Sequence, residues 1–303
     1  MTDTAHSGVT QPSGPDGAGG IPAPGIPAPG TPHPGTPHPG DLVPLVGAAT
    51  DVGRLRRVNE DGYLALAPAF VVVDGMGGHS AGRAAARAAL SALSPLGGTR
   101  VTSTEQVVEA VREAAAAVSA IPSQSVHRPG ATVAGAVLAH LPGPDGDVPT
   151  WVVLNIGDTR VYLMRDGTFT QASHDHSQVQ ELVDAGRLTP AAARRDPRRN
   201  IVTRALGGGI DDDGVPALSL LPAAIADRLL VCSDGLSDEL DDDALAALLG
   251  SGLPPQRTAE AAIAAALEHG GHDNVTVLVV DLPGPQAPAI ASQDAKSEEP
   301  RQA

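Results

Sequence analysis

Aromatic residues are scarce in this 303-residue chain: one Trp, two Tyr and two Phe, 2% of the total. Any core must therefore be built from Val, Leu, Ile and Ala. Cysteine occurs once, at Cys232, which excludes an intramolecular disulfide and fits a reducing compartment. Set in the apolar run LLVCSDG, that thiol reads as a core residue and not as a nucleophile. No apolar run approaches the roughly 18 residues of a membrane span, and no basic segment followed by a hydrophobic one opens the chain. A soluble, cytoplasmic protein without a membrane partner is expected. Cations are short as well: 20 Lys and Arg face 35 Asp and Glu, a formal net charge of −15. That balance argues against a nucleic-acid partner, and a monomer is expected.

Proline and glycine are plentiful at the N-terminus. Positions 21–40 repeat a five-residue unit, IPAPG twice and TPHPG twice. Such spacing removes backbone donors and favours polyproline II, with too little apolar surface to offset ordering entropy. Residues 1–42 are expected to be a disordered arm and 283–303 a disordered tail. Between them lies one domain, 43–282, long enough for a sizeable core.

Within that domain, β-branched runs predict strands at 45–53, 62–75, 131–141, 150–167, 227–235 and 274–282. An Asp-Gly pair at 166–167, flanked by alternating residues, signals a hairpin turn. Alanine-rich segments predict helices at 82–92, 103–121, 178–185, 190–195, 242–249 and 256–268. Strands come in hairpin-like groups and helices in pairs. This order favours two antiparallel sheets packed face to face with helices outside, over a doubly wound parallel sheet.

Four strand boundaries deliver an aspartate: FVVVDGMGGH (Asp74), VVLNIGDTR (Asp158), LLVCSDG (Asp234) and GGHDNVTVLVV (Asp273). Glu60 and Asp61 precede another strand. Strand ends separated by two hundred residues can meet in space, and a carboxylate cluster is unstable to its own repulsion unless hard divalent cations neutralise it. A metal-dependent hydrolase is the leading reading. The glycines after Asp74 allow a sharp turn that turns a carbonyl toward the same ion. They lack the GxGxxG register and any following GK[ST] of nucleotide loops. Arg56, a few residues from Glu60 and Asp61, offers the guanidinium fork that matches a phosphate. The acidic stretches 211–213 and 238–243 read as solvated loops and helix starts. Arg194, Arg195, Arg198, Arg199 and Arg204 form a basic patch whose default reading is a solvated face. His174 and His176 lack a third soft ligand and read as a turn.

Taken in order, TDVGRLRRVNED, DGMGGH, IGDTR, the stretch from HDHS to IVTRALG, LLVCSDGL and GGHDNVTV resemble the bacterial branch of the metal-dependent protein phosphatases, protein phosphatase type 2C. The resemblance spans roughly 47–282. It implies an α+β fold, a four-layer α-β-β-α sandwich, with a flap subdomain at about 174–208. It also implies two Mn²⁺ or Mg²⁺ ions, possible addition of a third, and hydrolysis by a hydroxide bridging the first two. Asp74 would bridge both ions, with the Gly75 carbonyl on one and Asp234 and Asp273 on the other. Glu60 and Asp61 would hold ion-bound waters, Asp158 would join Asp234 at the third ion, and Asn274 would orient the loop of Asp273. Arg56 would bind the substrate phosphate. The implied substrates are proteins phosphorylated on Ser or Thr, a cognate Ser/Thr kinase or an anti-sigma-factor antagonist among them. Three positions depart from common patterns. Met76 stands where eukaryotic relatives carry a proton-donating histidine, which leaves that role to a water or to His79. Gly130-Ala131-Thr132 replaces Gly-Thr-Thr, read as a packing change, and Arg83 replaces a glutamate, read as a surface exchange. A phosphoprotein-binding chain without turnover is the competing reading; retention of Arg56, Asp61, Asp74, Asp234 and Asp273 argues against it.

Overall fold

A computed structural model describes residues 42–78, 80–123, 128–210 and 212–283. The Pro/Gly-rich arm before Leu42, the tail beyond Pro283 and His79 lie outside the described residues. One sheet has the strand order β1 (Leu45–Asp51), β11 (Val275–Asp281), β10 (Arg228–Cys232), β6 (Arg160–Arg165) and β7 (Thr168–Gln171). The other has the order β2 (Gly62–Leu66), β3 (Ala69–Met76), β4 (Gly130–Gly143), β5 (Gly146–Ile156) and β9 (Ala217–Pro222), with the two-residue β8 (Leu206–Gly207) on β4. Every pairing is antiparallel.

The unbroken apolar runs follow from burial on both faces. Side chains alternate along a strand, and in β3 Phe70 and Val72 enter one core while Val71 and Val73 enter another. The central core lies between the sheets, where Phe70, Trp151 and Val153 meet Leu229, Val231 and Leu278. An outer core joins the β3 sheet to α1 (Ser80–Leu93) and α2 (Thr104–Ser119) through Ala85, Ala89, Val107 and Val111. A third joins the β10 sheet to α5 (Asp234–Ser237), α6 (Asp242–Leu249) and α7 (Pro255–His269) through Leu236, Leu245, Ala262 and Ile263. Helix, sheet, sheet and helix make four layers, as expected. Few aromatics are present, but Trp151, Tyr162 and Phe70 are fully buried, and each large apolar side chain so placed is worth roughly 1.5–3 kcal/mol.

The expected strand at 62–75 divides at Pro68 into a hairpin. The one expected at 150–167 divides at Gly157–Thr159 into β5 and β6, which belong to different sheets. The 166–167 turn forms as expected, with positive φ at both Asp166 (51°) and Gly167 (75°), the geometry of a type I′ hairpin. Among the elements not expected, β9 is an edge strand, half exposed and ending in Pro222, so it carries no inside-outside alternation; α5 is a single turn. The segment between β7 and β9 holds α3 (Gln178–Asp184) and α4 (Pro190–Ala193), closed at its base by a bridge between Ser177 and Val202.

Candidate active site and metal centre

The topology brings the acidic strand boundaries to one end of the sandwich. Asp74 ends the apolar run of β3 and faces Thr132 at the start of β4. Asp234 follows β10 and Asp273 precedes β11; the pairing of Cys232 with Val277 sets these two boundaries side by side. The remaining groups ride on connections that cross between the sheets. Arg56, Glu60 and Asp61 lie between β1 and β2, and Asp158 lies between β5 and β6. Gly75 is obligatory for a steric reason: a Cβ there would run into the Gly82 carbonyl oxygen.

Electrostatics bind the aspartates into one set. Burial raises the Asp74 carboxyl well above 3.8, and the charges of Asp61, Asp234, Asp158 and Asp273 raise it further. Asp234 is likewise pushed well up by burial, then by Asp158, Asp238, Asp273 and Asp61. Asp158 rises to about 7, through burial first and the Asp175 charge second. Asp61 rises to about 6 through burial, against the opposing hydrogen bond from Ser233. Such shifts mean that ionising the set at neutral pH demands positive charge from elsewhere.

The donor set fits that charge. All its members are carboxylate oxygens, hard ligands suited to Mg²⁺ or Mn²⁺. Asp61 Oδ1 is buried with no hydrogen-bond partner, an orphan acceptor that a cation or its water would satisfy. Among the described residues no three His, Cys, Asp or Glu side chains converge into a closed ion cage. One reason is visible at Asp273: Oδ2 accepts from Arg56 Nη2 at 2.6 Å, and Oδ1 accepts from the Asn274 amide at 2.8 Å.

Several neighbouring residues have partners that the sequence did not show. The Asn274 side chain ties the Asp273 loop to a distant segment, which is compatible with orienting that loop. It clamps the opposite connection, accepting from the Glu60 amide (2.8 Å) and donating to the Val52 (2.9 Å) and Val58 (3.0 Å) carbonyls. Arg56 and Glu60 are thereby held against Asp273. Arg83 is more than a surface exchange, since its Nε donates to the Asn59 carbonyl at 3.3 Å and ties α1 to the same connection. A Cβ on Gly130 or Gly208 would meet the Met76 methyl, so Met76 fills a seat between two glycines. The basic patch is largely neutralised: Arg198 pairs with Asp196, Arg199 with Asp238 and Arg204 with Asp212, while Arg194 donates to the Leu240 carbonyl. The acidic stretches are correspondingly less solvated than expected, because Asp212 is almost covered by Arg204 and Glu239 holds His272. His174 pairs with Asp184 and His176 Nδ1 accepts from the Gly157 amide, so both serve the turn. Ser233, unremarked in the sequence, donates to Asp61 Oδ2 at 2.8 Å; its place directly before Asp234 was the available signal.

Beside Asp158 and Asp234 opens a cavity of about 260 Å³, roofed by Val179, Val183 and Ala193 of α3 and α4. It leaves room for a substrate segment next to the carboxylates.

A family model described as protein phosphatase 2C matches residues 58–268. The chain is 37% identical over 247 residues to the serine/threonine protein phosphatase PstP of Mycobacterium tuberculosis, covering 80% of this chain and 45% of that protein. It is 32% identical to the serine/threonine phosphatase stp of Listeria monocytogenes, covering 77% of this chain and 93% of that one. Among solved structures, the catalytic domain of PstP in complex with two manganese ions superposes with a TM-score of 0.70 at 35% identity, over 80% of this chain and 100% of that one. The chain thus spans less than half the length of the mycobacterial relative and nearly all of the listerial one. With the family model covering most of the domain and the two sheets matching in three dimensions, the chain belongs to the protein phosphatase 2C family.

Proposed function

We propose that this chain is a metal-dependent phosphoserine/phosphothreonine protein phosphatase. The observation that carries the reading is the convergence of Asp61, Asp74, Asp158, Asp234 and Asp273, each delivered by a different strand boundary, with their charges raising the Asp74 and Asp234 carboxyls. The manganese complex of PstP, sharing 35% of its residues with this chain, supports the choice of ion.

Asp74, Asp234, Asp273 and the Gly75 carbonyl would hold two Mn²⁺ or Mg²⁺ ions, Glu60 and Asp61 their waters, and Asp158 with Asp234 a third ion. When bound, the ions supply a water of lowered pKa and neutralise charge on the phosphoryl oxygens. Arg56, half exposed beside Asp273, binds the substrate phosphate through its guanidinium fork. Asp61, with Oδ2 held by Ser233, offers Oδ1 as the acceptor that orients a water. Met76 carries no proton to give, which leaves protonation of the departing oxygen to a water. Cys232 takes no part: it is buried and burial pushes its thiol up to about 12. No helix among the described residues is long and apolar enough to cross a membrane. The reading extends to a cytoplasmic enzyme that reverses a Ser/Thr kinase, with that kinase as one substrate; the Ser/Thr phosphatases the chain resembles support phosphoprotein substrates.

The test is hydrolysis of a phosphothreonine peptide and of p-nitrophenyl phosphate with Mn²⁺, with Mg²⁺ and with EDTA. Turnover in either metal and none in EDTA is expected. Binding of the peptide without turnover in any metal would instead establish a phosphoprotein-binding module.

A further inference from the structure

Asp61 closes a ring of five side chains and backbone groups that no single segment of the chain contains. Its Oδ2 accepts from the Ser233 hydroxyl at 2.8 Å. Ser233 Oγ accepts from the Thr276 amide at 3.0 Å, so its one proton is committed to Asp61. The Thr276 hydroxyl meets that of Thr50 at 2.7 Å, Thr50 accepts from Asn59 Nδ2 at 2.9 Å, and Asn59 Oδ1 accepts from the Asp61 amide at 3.1 Å. The ring joins the end of β1, the connection before β2, the corner after β10 and the start of β11.

We propose that Ser233, Thr276, Thr50 and Asn59 are positioning residues for Asp61, fixing one carboxylate oxygen so that the other serves the metal side. The proposal rests on the reading of Asp61 as an acceptor for ion-bound water.

Three features carry it. Ser233 and Thr276 have no exposed surface, and Thr276 is the one polar residue inside the apolar stretch VTVLVV of β11. A valine would fit there by shape and avoid burying a hydroxyl, which is costly unless it is bonded. The bonds also close end to end: Thr50 accepts from Asn59, and the Thr50 and Thr276 hydroxyls share one hydrogen bond in which either can donate. Finally, the ring leaves the two Asp61 oxygens unequal, Oδ2 bonded and Oδ1 buried without a partner. A carboxylate locked in this way presents one acceptor in one direction and loses little rotamer freedom on engaging a ligand.

Calorimetric titration of Mn²⁺ into the EDTA-treated, dialysed 303-residue chain tests the ring, with thermal unfolding recorded for each variant. Ser233→Ala and the isosteric Thr276→Val are expected to weaken Mn²⁺ binding by about 10- to 100-fold, the loss typical when a partner of a metal-site group is removed. Thr276→Ser keeps the hydroxyl and is expected to retain wild-type affinity, which a purely steric role for Thr276 would not allow. Should Ser233→Ala fail to fold, the Thr276 pair decides alone. Asp61→Asn is titrated in parallel. If it weakens binding while Ser233→Ala and Thr276→Val do not, the ring does not position Asp61. If Asp61→Asn binds like wild type, the underlying reading of Asp61 falls, and the positioning proposal with it.

Discussion

An aspartate flanks each end of strand β10, Asp227 buried and Asp234 half-buried, and the two are treated in opposite ways. Asp227, just before the strand, is saturated by the protein itself. Arg165 donates to both its oxygens at 2.6 and 2.7 Å, Trp151 Nε1 at 3.0 Å and the Ala224 amide at 2.9 Å. Asp234, just after the strand, faces Asp158, Asp238, Asp273 and Asp61, and its carboxyl is driven well above its ordinary range. The fold therefore supplies an internal cation to the carboxylate that serves structure and none to Asp234, which the proposed function makes an ion ligand. Arg56 stands between these cases: it pairs with Asp273 at the rim but remains half exposed, available to a phosphate.

The largest effect is expected at the end lacking cations. Asp74→Asn should lower metal-dependent peptide hydrolysis by about 10³-fold or more, since it removes the group that would bridge both ions. The same change relieves the mutual repulsion of the cluster, so the melting temperature in EDTA at pH 8 should rise. Activity lost together with stability would mean that Asp74 serves the fold in the manner of Asp227. Conversely, Asp227→Ala leaves the buried Trp151 Nε1 without its acceptor and the partly exposed Arg165 without its partner, and should cost about 1–3 kcal/mol in denaturant unfolding. At protein concentrations and temperatures where the variant stays folded, its turnover number should be close to that of the wild type. A specific loss of turnover there would erase the division between the two ends of β10.

The carboxylate cluster was legible in the sequence for a physical reason. A strand buried on both faces must be apolar throughout, so an aspartate closing FVVV or LLVCS can only stand at its mouth, where the sheets leave room for a ligand. The layered fold was legible through the same strands. What stayed hidden depends on contacts between distant segments. The Asn274 clamp bridges 214 to 222 positions and the Ser233–Asp61 bond 172; neither residue type signals such a reach. Arg83 and Asp212 looked like surface charges because charge alone does not reveal a partner, and β9 was missed because an edge strand half open to water need not alternate.

Acidity should separate metal-free from metal-loaded protein. The folded-state values of Asp61 (about 6) and Asp158 (about 7) lie above 3.8. The native state therefore holds these protons more tightly than the unfolded chain, and the associated stability is lost as pH rises through 6 to 7. In EDTA, the melting temperature should fall between pH 5.5 and 8, and saturating Mn²⁺ should flatten that slope by taking over the role of the protons. A metal-free protein whose stability climbs through that window would show that these carboxylates ionise without penalty and need no cation.

The smallest of these effects concerns Asp158, whose carboxyl sits at the border between the cluster and the cavity under α3 and α4. Its strongest neighbouring charge is Asp175, a carboxylate already gripped by Arg160 at 2.6–3.0 Å. Asp158 thus stands one step from the internally paired kind of carboxylate and one step from the cation-seeking kind. Asp158→Ala should leave the two tighter Mn²⁺ binding events intact in a calorimetric titration, remove any weaker third event and lower turnover several-fold. Loss of the two tight events would move Asp158 into the centre of the cluster. Unchanged turnover would assign it to the Arg160–Asp175 pair, and the boundary between self-sufficient and cation-dependent carboxylates would then run between Asp158 and Asp234.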